Sequence, residues 1–561
     1  MVTLPRPVAP FFGDDWWQRG VVYQIYPRSF ADSNGDGVGD LAGIVDHLDH
    51  LNDGTPNSLG VDAIWLSPIY PSPGLDLGYD VSDHAAVDPL FGAMADFERL
   101  LDEAHRRGMR VILDLVMNHT SDAHAWFEES RRDRTNPRAD WYLWRDPAGI
   151  DKGGRPKRPN NWQSFFGGPA WTWNAAREQF YLHTFLPEQP DLNWRNPGVR
   201  AAMLDSVRGW LDRGVDGFRL DVFNIFFKHA QLPSNPRQPL ALRPWRRQRH
   251  VYDRNQPELR ELLAEFRALV DEQPGRMTVG ELFDGTPSIA AGYTEPRHLV
   301  FDFRLIDQPW RARAFGSVTA ERERAFKGDR WPCVVLSNHD QSRHVSRLGG
   351  GRDPDAVARA AALLLFTLRG TPFVYYGEEI AMPDIDVPRS EIIDPPARRD
   401  GLLARLLAPW WNRDRARAPM AWTNDPGGGF TTGTPWLKPI ADTATRNVAR
   451  HATDPGSVLG FYRRLIWLRR ELPALQVGAY RRLRAPADVL AYLRVTDDEQ
   501  LLVAVNTGQR AESVRLTGHP RGGRWIRLLG THDGGRANPL EHDDRTDVTL
   551  QPNEGLLLRA G

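Results

Sequence analysis

Short apolar runs alternate with amphipathic stretches along the first 115 residues of the chain. Val21 to Ile25 is a β-type run, Leu41 to Leu51 has helical apolar spacing, and Val61 to Leu66 is a second apolar run, with Pro68 just beyond it. Ala93 to Arg107 reads as an amphipathic helix stopped by Gly108, and Arg110 to Leu115 as a third strand. The pattern returns further on. Pro197 to Arg213 and Glu258 to Glu272 have helical spacing. Gly217 to Leu220, Met277 to Leu282, Leu299 to Phe303, Cys333 to Asn338 and Pro372 to Gly377 read as strands. A strongly apolar helix, Ala356 to Leu368, separates the last two. Strand–helix alternation predicts a parallel sheet with helices outside. Eight such strands predict an α/β chain built on a (β/α)8 barrel, although doubly wound sheets share the pattern.

Two stretches interrupt the alternation. From Thr120 to about Pro190 the chain is rich in Trp, Pro, Asn and charge, without a sustained period. That is long for a loop, and predicts a small domain inserted after strand three. The expected division is 1–119 and 191–472 for the barrel and 120–190 for the insertion. Lys228 to Asn255, basic and proline-bearing, is expected to form a loop on the same rim. Beyond Leu472 come short β-type runs separated by turn residues: Val489 to Arg494, Gln500 to Asn506, Glu512 to Leu516, Arg524 to Leu529, Asp547 to Leu550 and Gly555 to Arg559. They predict an antiparallel β-sandwich over 473–561.

Composition narrows the function classes. The 561 residues exceed one domain's worth, and 71 basic against 72 acidic residues leave a net charge of -1, with no electrostatic footprint for nucleic acid. One cysteine, Cys333, excludes an internal disulfide and fits a reducing compartment. Met1 to Gly13 lacks a basic region followed by an apolar run, and no stretch is apolar enough to span a bilayer, so a cytoplasmic protein without a membrane partner is expected. Twenty tryptophans suit sugar-stacking platforms and large cores alike.

The chemistry gathers at the ends of the expected strands, where barrel enzymes build their sites. In Gly214 to Asn224, Arg219 and Asp221 interrupt an apolar run two positions apart, and so on one side of a strand. Buried charges need partners. The pair is a structural ion pair, or an arginine that keeps a nucleophilic carboxylate ionised. Strand three ends on Asp114, Asn118 and His119, strand five on Glu281, and strand seven on Asn338, His339 and Asp340. Three carboxylates, Asp221, Glu281 and Asp340, therefore converge. Retaining glycoside hydrolysis needs two, roughly 5 to 5.5 Å apart, one of them kept protonated. His119 and His339 suit hydrogen bonds to sugar hydroxyls, and their spacing is not that of a compact zinc site.

These motifs together resemble the α-amylase superfamily of glycoside hydrolases, and within it the oligo-1,6-glucosidase and α-glucosidase group. The carrying stretches are Asp114-Leu-Val-Met-Asn-His119, Gly217-Phe-Arg-Leu-Asp221, Gly280-Glu281-Leu-Phe and Ser337-Asn-His-Asp340, with Gln189-Pro-Asp-Leu-Asn193 similar to a subgroup marker. Val61 to Pro68 and Gly370 to Glu378 match two further strands, and the likeness runs from about Trp16 to about Trp422. The resemblance implies Asp221 as nucleophile, Glu281 as acid/base and Asp340 as stabiliser, with Arg219, His119 and His339 in the same subsite. It implies that Asp76 and Tyr79 of Asp76-Leu-Gly-Tyr79 hold and stack on the terminal glucose. The arginine partner of that Asp is then expected in Arg417-Ala-Pro-Met420, with Arg413 as the alternative. The implied function is an exo-acting retaining α-glucosidase on small oligosaccharides or α-glucosides. The alternatives are a transglucosylase, a sucrose isomerase or a non-catalytic scaffold. Isomerases of the group resemble one another in an R-L-D-R-D stretch, and here the region reads Phe303-Arg-Leu-Ile-Asp-Gln-Pro309. Valine after the nucleophile, as in Val222, accompanies α-1,6 activity in the resembling group.

One loop has separate chemistry. Asp32, Asn34, Asp36, Val38 and Asp40 place oxygen ligands at alternate positions, which suits a hard cation. The loop starts like an EF-hand, but its twelfth position is Gly43. It also contains a weak dinucleotide-fingerprint match at Gly37 to Ala42, which the flanking aspartates disfavour. In relatives resembling this one such a loop binds calcium, the residue at Val38 through its carbonyl, and a structural Ca2+ is expected.

Overall fold

The structure, a computed structural model, describes residues 10–238, 241, 243–295, 298–399, 412–515, 524–533, 541–543 and 547–561. Most of Met1 to Gly13, part of the Lys228 to Asn255 loop and the end of the Glu512 to Leu516 run lie outside the described residues.

The strands in chain order are β1 (Val22–Ile25), β2 (Ala63–Leu66), β3 (Arg110–Leu115), β4 (Trp144–Arg145), β5 (Trp171–Asn174), β6 (Gln179–Leu182), β7 (Gly217–Leu220), β8 (Met277–Glu281), β9 (Leu299–Phe301), β10 (Cys333–Val335) and β11 (Thr371–Tyr375). Eight of them form one parallel sheet, ordered β10-β11-β1-β2-β3-β7-β8-β9, and β9 and β10 meet across the remaining seam. This is the (β/α)8 barrel.

Strand periodicity decides what faces the barrel axis. Val22, Ala63, Trp65, Ile112, Met277, Val279, Leu299, Phe301, Cys333, Val335 and Phe373 pack together as the interior. The intervening residues pack outward into the main core with the helices. Continuing the inward positions by two toward the carboxyl ends reaches Gln24, Asp114, Arg219, Asp221 and Glu281. The polar layer is thus the top layer of an otherwise apolar stack. Register aligns Asp114 with Arg219 and Arg219 with Val279, so Asp221 and Glu281 emerge one level higher on neighbouring strands.

The insertion carries a three-stranded antiparallel sheet, β4-β6-β5. Its strands mix aromatic and polar residues, as in Trp171–Asn174 and Gln179–Leu182, and lack the continuous apolar runs that mark the buried barrel strands. The expected helix Leu41 to Leu51 is two helices, Leu41–Asp46 and Leu48–Leu51, broken at His47. Strand β9 stops at Phe301, short of the expected end, because Phe303 takes a φ of +43°. The C-terminal unit contains β12 (Ala479–Arg482), β13 (Val489–Val495), β14 (Gln500–Asn506), β15 (Glu512–Arg515), β16 (Arg524–Gly530), β17 (Glu541–Asp543), β18 (Asp547–Leu550) and β19 (Gly555–Ala560). They form a six-stranded sheet, β12-β13-β14-β19-β16-β17, and a two-stranded one, β15-β18. Buried Arg494 ties this unit to the barrel by donating to Thr367 O (2.6 Å). No helix among the described residues is long and apolar enough to cross a membrane.

Candidate active site

A cavity of about 440 Å³ opens at the carboxyl ends of the barrel strands, lined by Asp76, Tyr79, His119, Asp221, Glu281 and Asp340 among others. Arg219 is the hub beneath it. Its Nη1 donates to Asp114 (2.6 Å) and to Asp221 (2.8 Å), and its Nη2 to Glu281. Asp221 and Glu281 thus flank one cation from two of its nitrogens, side by side at the cavity floor. Trp65 lies below, its ring 5.3 Å from the guanidinium carbon and its Nε1 on Asp114 (3.3 Å).

Electrostatics separate the carboxylates. Burial pushes Asp221 up, and the nearby Asp114, Asp340 and Asp76 add to this, while Arg219 opposes it. Arg219 does pull Asp221 down, as expected, but burial outweighs it and the net direction is upward. For Asp340, burial also works upward, but His339, Arg413 and Arg417 more than offset it and hold the carboxyl well down. The arginines carry that charge, since burial lowers His339 to about 3 and keeps its ring neutral. Burial likewise lowers His119 to about 4. Asp76 is pushed up to about 6 by burial, against the pull of Arg413.

Hydrogen bonds set the orientation of the neutral rings. His339 Nδ1 meets Gln24 Nε2 (2.8 Å), and its Nε2 meets the Tyr79 hydroxyl (2.7 Å), which donates to Asp114 (2.9 Å). With the Gln24 amide donating, Nε2 carries the hydrogen. The Tyr79 and His339 rings stack at 5.4 Å and 3°. His119 Nε2 meets Tyr79 O (3.0 Å) and Gln189 Nε2 (3.1 Å), and Gln189 also donates to Asp76 (3.1 Å). Buried Lys228 donates to Asn118 (2.8 Å) and pairs with Asp191 (2.8 Å), fastening the end of the insertion to the barrel rim beside His119.

The arginine assignment needs correction. Arg413, not Arg417, reaches Asp76 (2.8 Å), and it also touches Asp340 (3.2 Å). Both arginines leave one short 3-10 helix, Arg413–Arg417. Arg417 is fully buried, donates to His339 O (2.8 Å) and Asp340 (3.1 Å), and lies over Tyr26, so it acts from behind the cavity wall. Sequence reasoning also passed over Gln24, Gln189 and the aromatic wall of Phe165, Phe166, Trp245 and Phe283. Gln189 carried a signal, as the first residue of its motif, whereas the wall comes from segments distant in sequence.

The Asp32 to Asp40 loop lies away from the cavity, against residues 430–436. Asp32 accepts from the amides of Asn34 (3.0 Å), Gly35 (2.8 Å) and Gly37 (2.7 Å) and from the Thr431 hydroxyl (2.5 Å). Burial works to raise Asp32, but these donors outweigh it and lower it on balance. Asn34 and Asp36 each accept the amide two residues on (2.8 Å in both cases), through one oxygen. Asp40 caps the next helix at Gly43 (2.6 Å). A Cβ at Gly43 would lie 2.2 Å from Ala31 O, so no twelfth-position ligand fits. Among the described residues no three His, Cys, Asp or Glu gather as a metal cluster.

A family profile described as "Alpha amylase, catalytic domain" matches residues 24–478. The chain is 43% identical to a probable alpha-glucosidase of Rhizobium meliloti, over 90% of this chain and 91% of the relative. It is 38% identical to an oligo-1,6-glucosidase of Parageobacillus thermoglucosidasius, over 96% and 98% of the two chains. A solved alpha-glucosyl transfer enzyme superposes with a TM-score of 0.88 at 40% identity, covering 97% of this chain and 99% of the other.

Proposed function

This chain belongs to the α-amylase family of glycoside hydrolases, and from that premise we propose that it is an exo-acting retaining α-glucosidase. Its substrates are the non-reducing ends of short α-glucosides. The observation that carries this reading is the paired contact of Asp221 and Glu281 with one buried guanidinium, in a cavity walled by the Asp76–Arg413 pair. Side-by-side carboxylates suit double displacement, whereas inversion needs a wider gap for water.

The mechanism requires one proton in the free site, standing on Glu281. Asp221 attacks the anomeric carbon while Glu281 protonates the departing glycosidic oxygen, giving a glucosyl ester. Glu281 then takes a proton from water, which displaces Asp221 and restores the α-configuration. Asp340, anionic beside two arginines, accepts hydrogen bonds from sugar hydroxyls. Glucose release from an aryl α-glucoside, with NMR detection of α-glucose as first product, tests this. β-Glucose first, or no release, rejects it.

A second reading, glucosyl transfer, is favoured by the aromatic wall beside the acid. Phe165 and Phe283 meet edge-on at 4.7 Å, and Trp245 lies 5.8 Å from Phe283. Such a wall limits access of water and offers faces to an organic acceptor. Sucrose isomerisation has less support, since Arg304 of the 303–309 stretch turns to Glu321 (3.5 Å). Product analysis on maltose, isomaltose, sucrose and trehalose separates these outcomes. A cytoplasmic setting fits the single, buried Cys333, and cell fractionation tests it.

Linkage preference is assigned to Val222. It follows the nucleophile with φ +34° and ψ 40°, an unusual conformation for a β-branched residue, and lines the cavity. We expect isomaltose to be cleaved. Val222→Thr, which offers a hydroxyl, is expected to move the kcat/KM ratio toward maltose by about 10-fold. Measuring both disaccharides checks this, and an unchanged ratio removes Val222 as a determinant.

The Asp32 to Asp40 loop is assigned a structural Ca2+. Its donors, Asp32, Asn34, Asp36, the Val38 carbonyl and Asp40, are all hard oxygens, and Asp32 stays ionised. Chelation is expected to lower Tm by a few degrees with little change in kcat at moderate temperature, since the ion stabilises by binding only the folded chain. Calorimetry with elemental analysis checks this, and calcium-supplied protein without calcium rejects it.

A further inference from the structure

We propose that Asp394 is a positioning residue for the active site, acting through Arg413. Asp394 is fully buried and follows the last barrel strand; it is not itself among the residues lining the cavity, although Pro396 is. Its carboxylate grips Arg413 twice, at Nε (2.7 Å) and at the backbone N–H (2.9 Å). With those two donors held, the guanidinium has its terminal nitrogens left for the cavity, and they divide: Nη2 to Asp76 (2.8 Å), Nη1 to Asp340 (3.2 Å). The grip is reciprocated, because Asp414 accepts the amides of Asp394 (3.1 Å) and Ile393 (2.8 Å). Residues 393–394 and 413–414 are thereby clipped together, so the direction of the Arg413 fork is set from outside the site.

The physical reason for such a clip is entropic and geometric. Arginine has many rotamers, and a fork that must meet two carboxylates on different loops works only if its stem is fixed. Asp394 also supplies the negative charge that a buried guanidinium needs, so that Asp76 and Asp340 need not saturate it and can turn oxygens to a sugar. The inference rests on the glucosidase reading, in which Asp76 and Asp340 hold the terminal glucose.

The test is a double-mutant cycle on the full-length chain with an aryl α-glucoside. Asp394→Asn keeps the shape and removes the charge. It is expected to raise KM by about 10- to 100-fold, with a smaller change in kcat. Arg413→Ala is expected to do the same or more, and Asp394→Asn added to Arg413→Ala is expected to change KM by less than about 2-fold, because both act through one group. A second readout does not depend on affinity. Arg413 opposes the upward push on Asp76 from burial and from Asp80, and Gln189 assists Arg413 in this. Loosening Arg413 is therefore expected to move the acid limb of kcat/KM to higher pH. If Asp394→Asn leaves KM and the acid limb at wild-type values, or its effect persists in full in the Arg413→Ala background, the proposal is overturned. Should Asp394→Asn fail to fold, Asp414→Asn, which loosens the same clip, is expected to give the same KM shift and the same loss of effect with Arg413→Ala. A wild-type enzyme that releases no glucose rejects the glucosidase reading instead, so the two failures are distinct.

Discussion

Asp221→Asn is expected to lower kcat by about 10⁴- to 10⁶-fold while the chain stays folded. The amide is nearly isosteric and can still accept from Arg219, which lies 2.8 Å away, but it cannot form the glucosyl ester. Circular dichroism and Tm check the fold, and steady-state kinetics check the rate. A variant that kept most of its rate with the same anomer as product would remove Asp221 as nucleophile. The same residue shapes the pH profile of the wild type. Burial raises both Asp221 and Asp76, the latter to about 6, and each must be ionised to attack or to hold the sugar. The kcat/KM of the free enzyme is therefore expected to fall as pH drops through about 6 to 7, as a macroscopic limb belonging to the cluster. A limb near the ordinary carboxylate range would show that neither group governs the rate.

Glu281→Gln is expected to lose about 10²- to 10⁴-fold on maltose or isomaltose and far less on an aryl glucoside with an activated leaving group. Protonation matters most when the departing oxygen is a poor leaving group. Glutamine keeps the contact surface of a residue that lies beside Leu282 and Phe283 at the cavity floor, but it supplies no acidic proton. Azide is expected to rescue the aryl substrate by displacing Asp221 from the β-linked glucosyl ester, giving an α-glucosyl azide. Equal losses on both substrates would assign the acid elsewhere.

The two carboxylates differ in how they became legible. Asp221 and Glu281 stand out in sequence because charges interrupt apolar runs at strand spacing, and the two-residue period carries them inward in the folded barrel. The shared guanidinium was not legible. It depends on the alignment of Asp114 with Arg219 across two strands separated by the whole insertion. Nor was the net direction of the Asp221 shift, because a sequence names the neighbouring arginine but not the burial that outweighs it or the other carboxylates that add to it.

The choice between Arg413 and Arg417 follows the same rule. Four residues apart on one short helix, neither is singled out by position, and the motif resemblance favours Arg417. Only packing separates them: Tyr26 and His339 O enclose Arg417, while Asp394 directs Arg413 into the cavity. The small sheet of the insertion escaped notice because its strands mix aromatic and polar residues and lack the continuous apolar runs of the buried barrel strands.

The sequence by itself determined the strand–helix alternation, the long break after strand three and the residue types at the strand ends, because periodicity and buried charge are local properties of a chain. The tertiary structure alone decided which arginine reaches Asp76, how three carboxylates divide one guanidinium, and which aromatic rings face the acid. These depend on distances between segments remote in sequence, and only the closed barrel sets those distances.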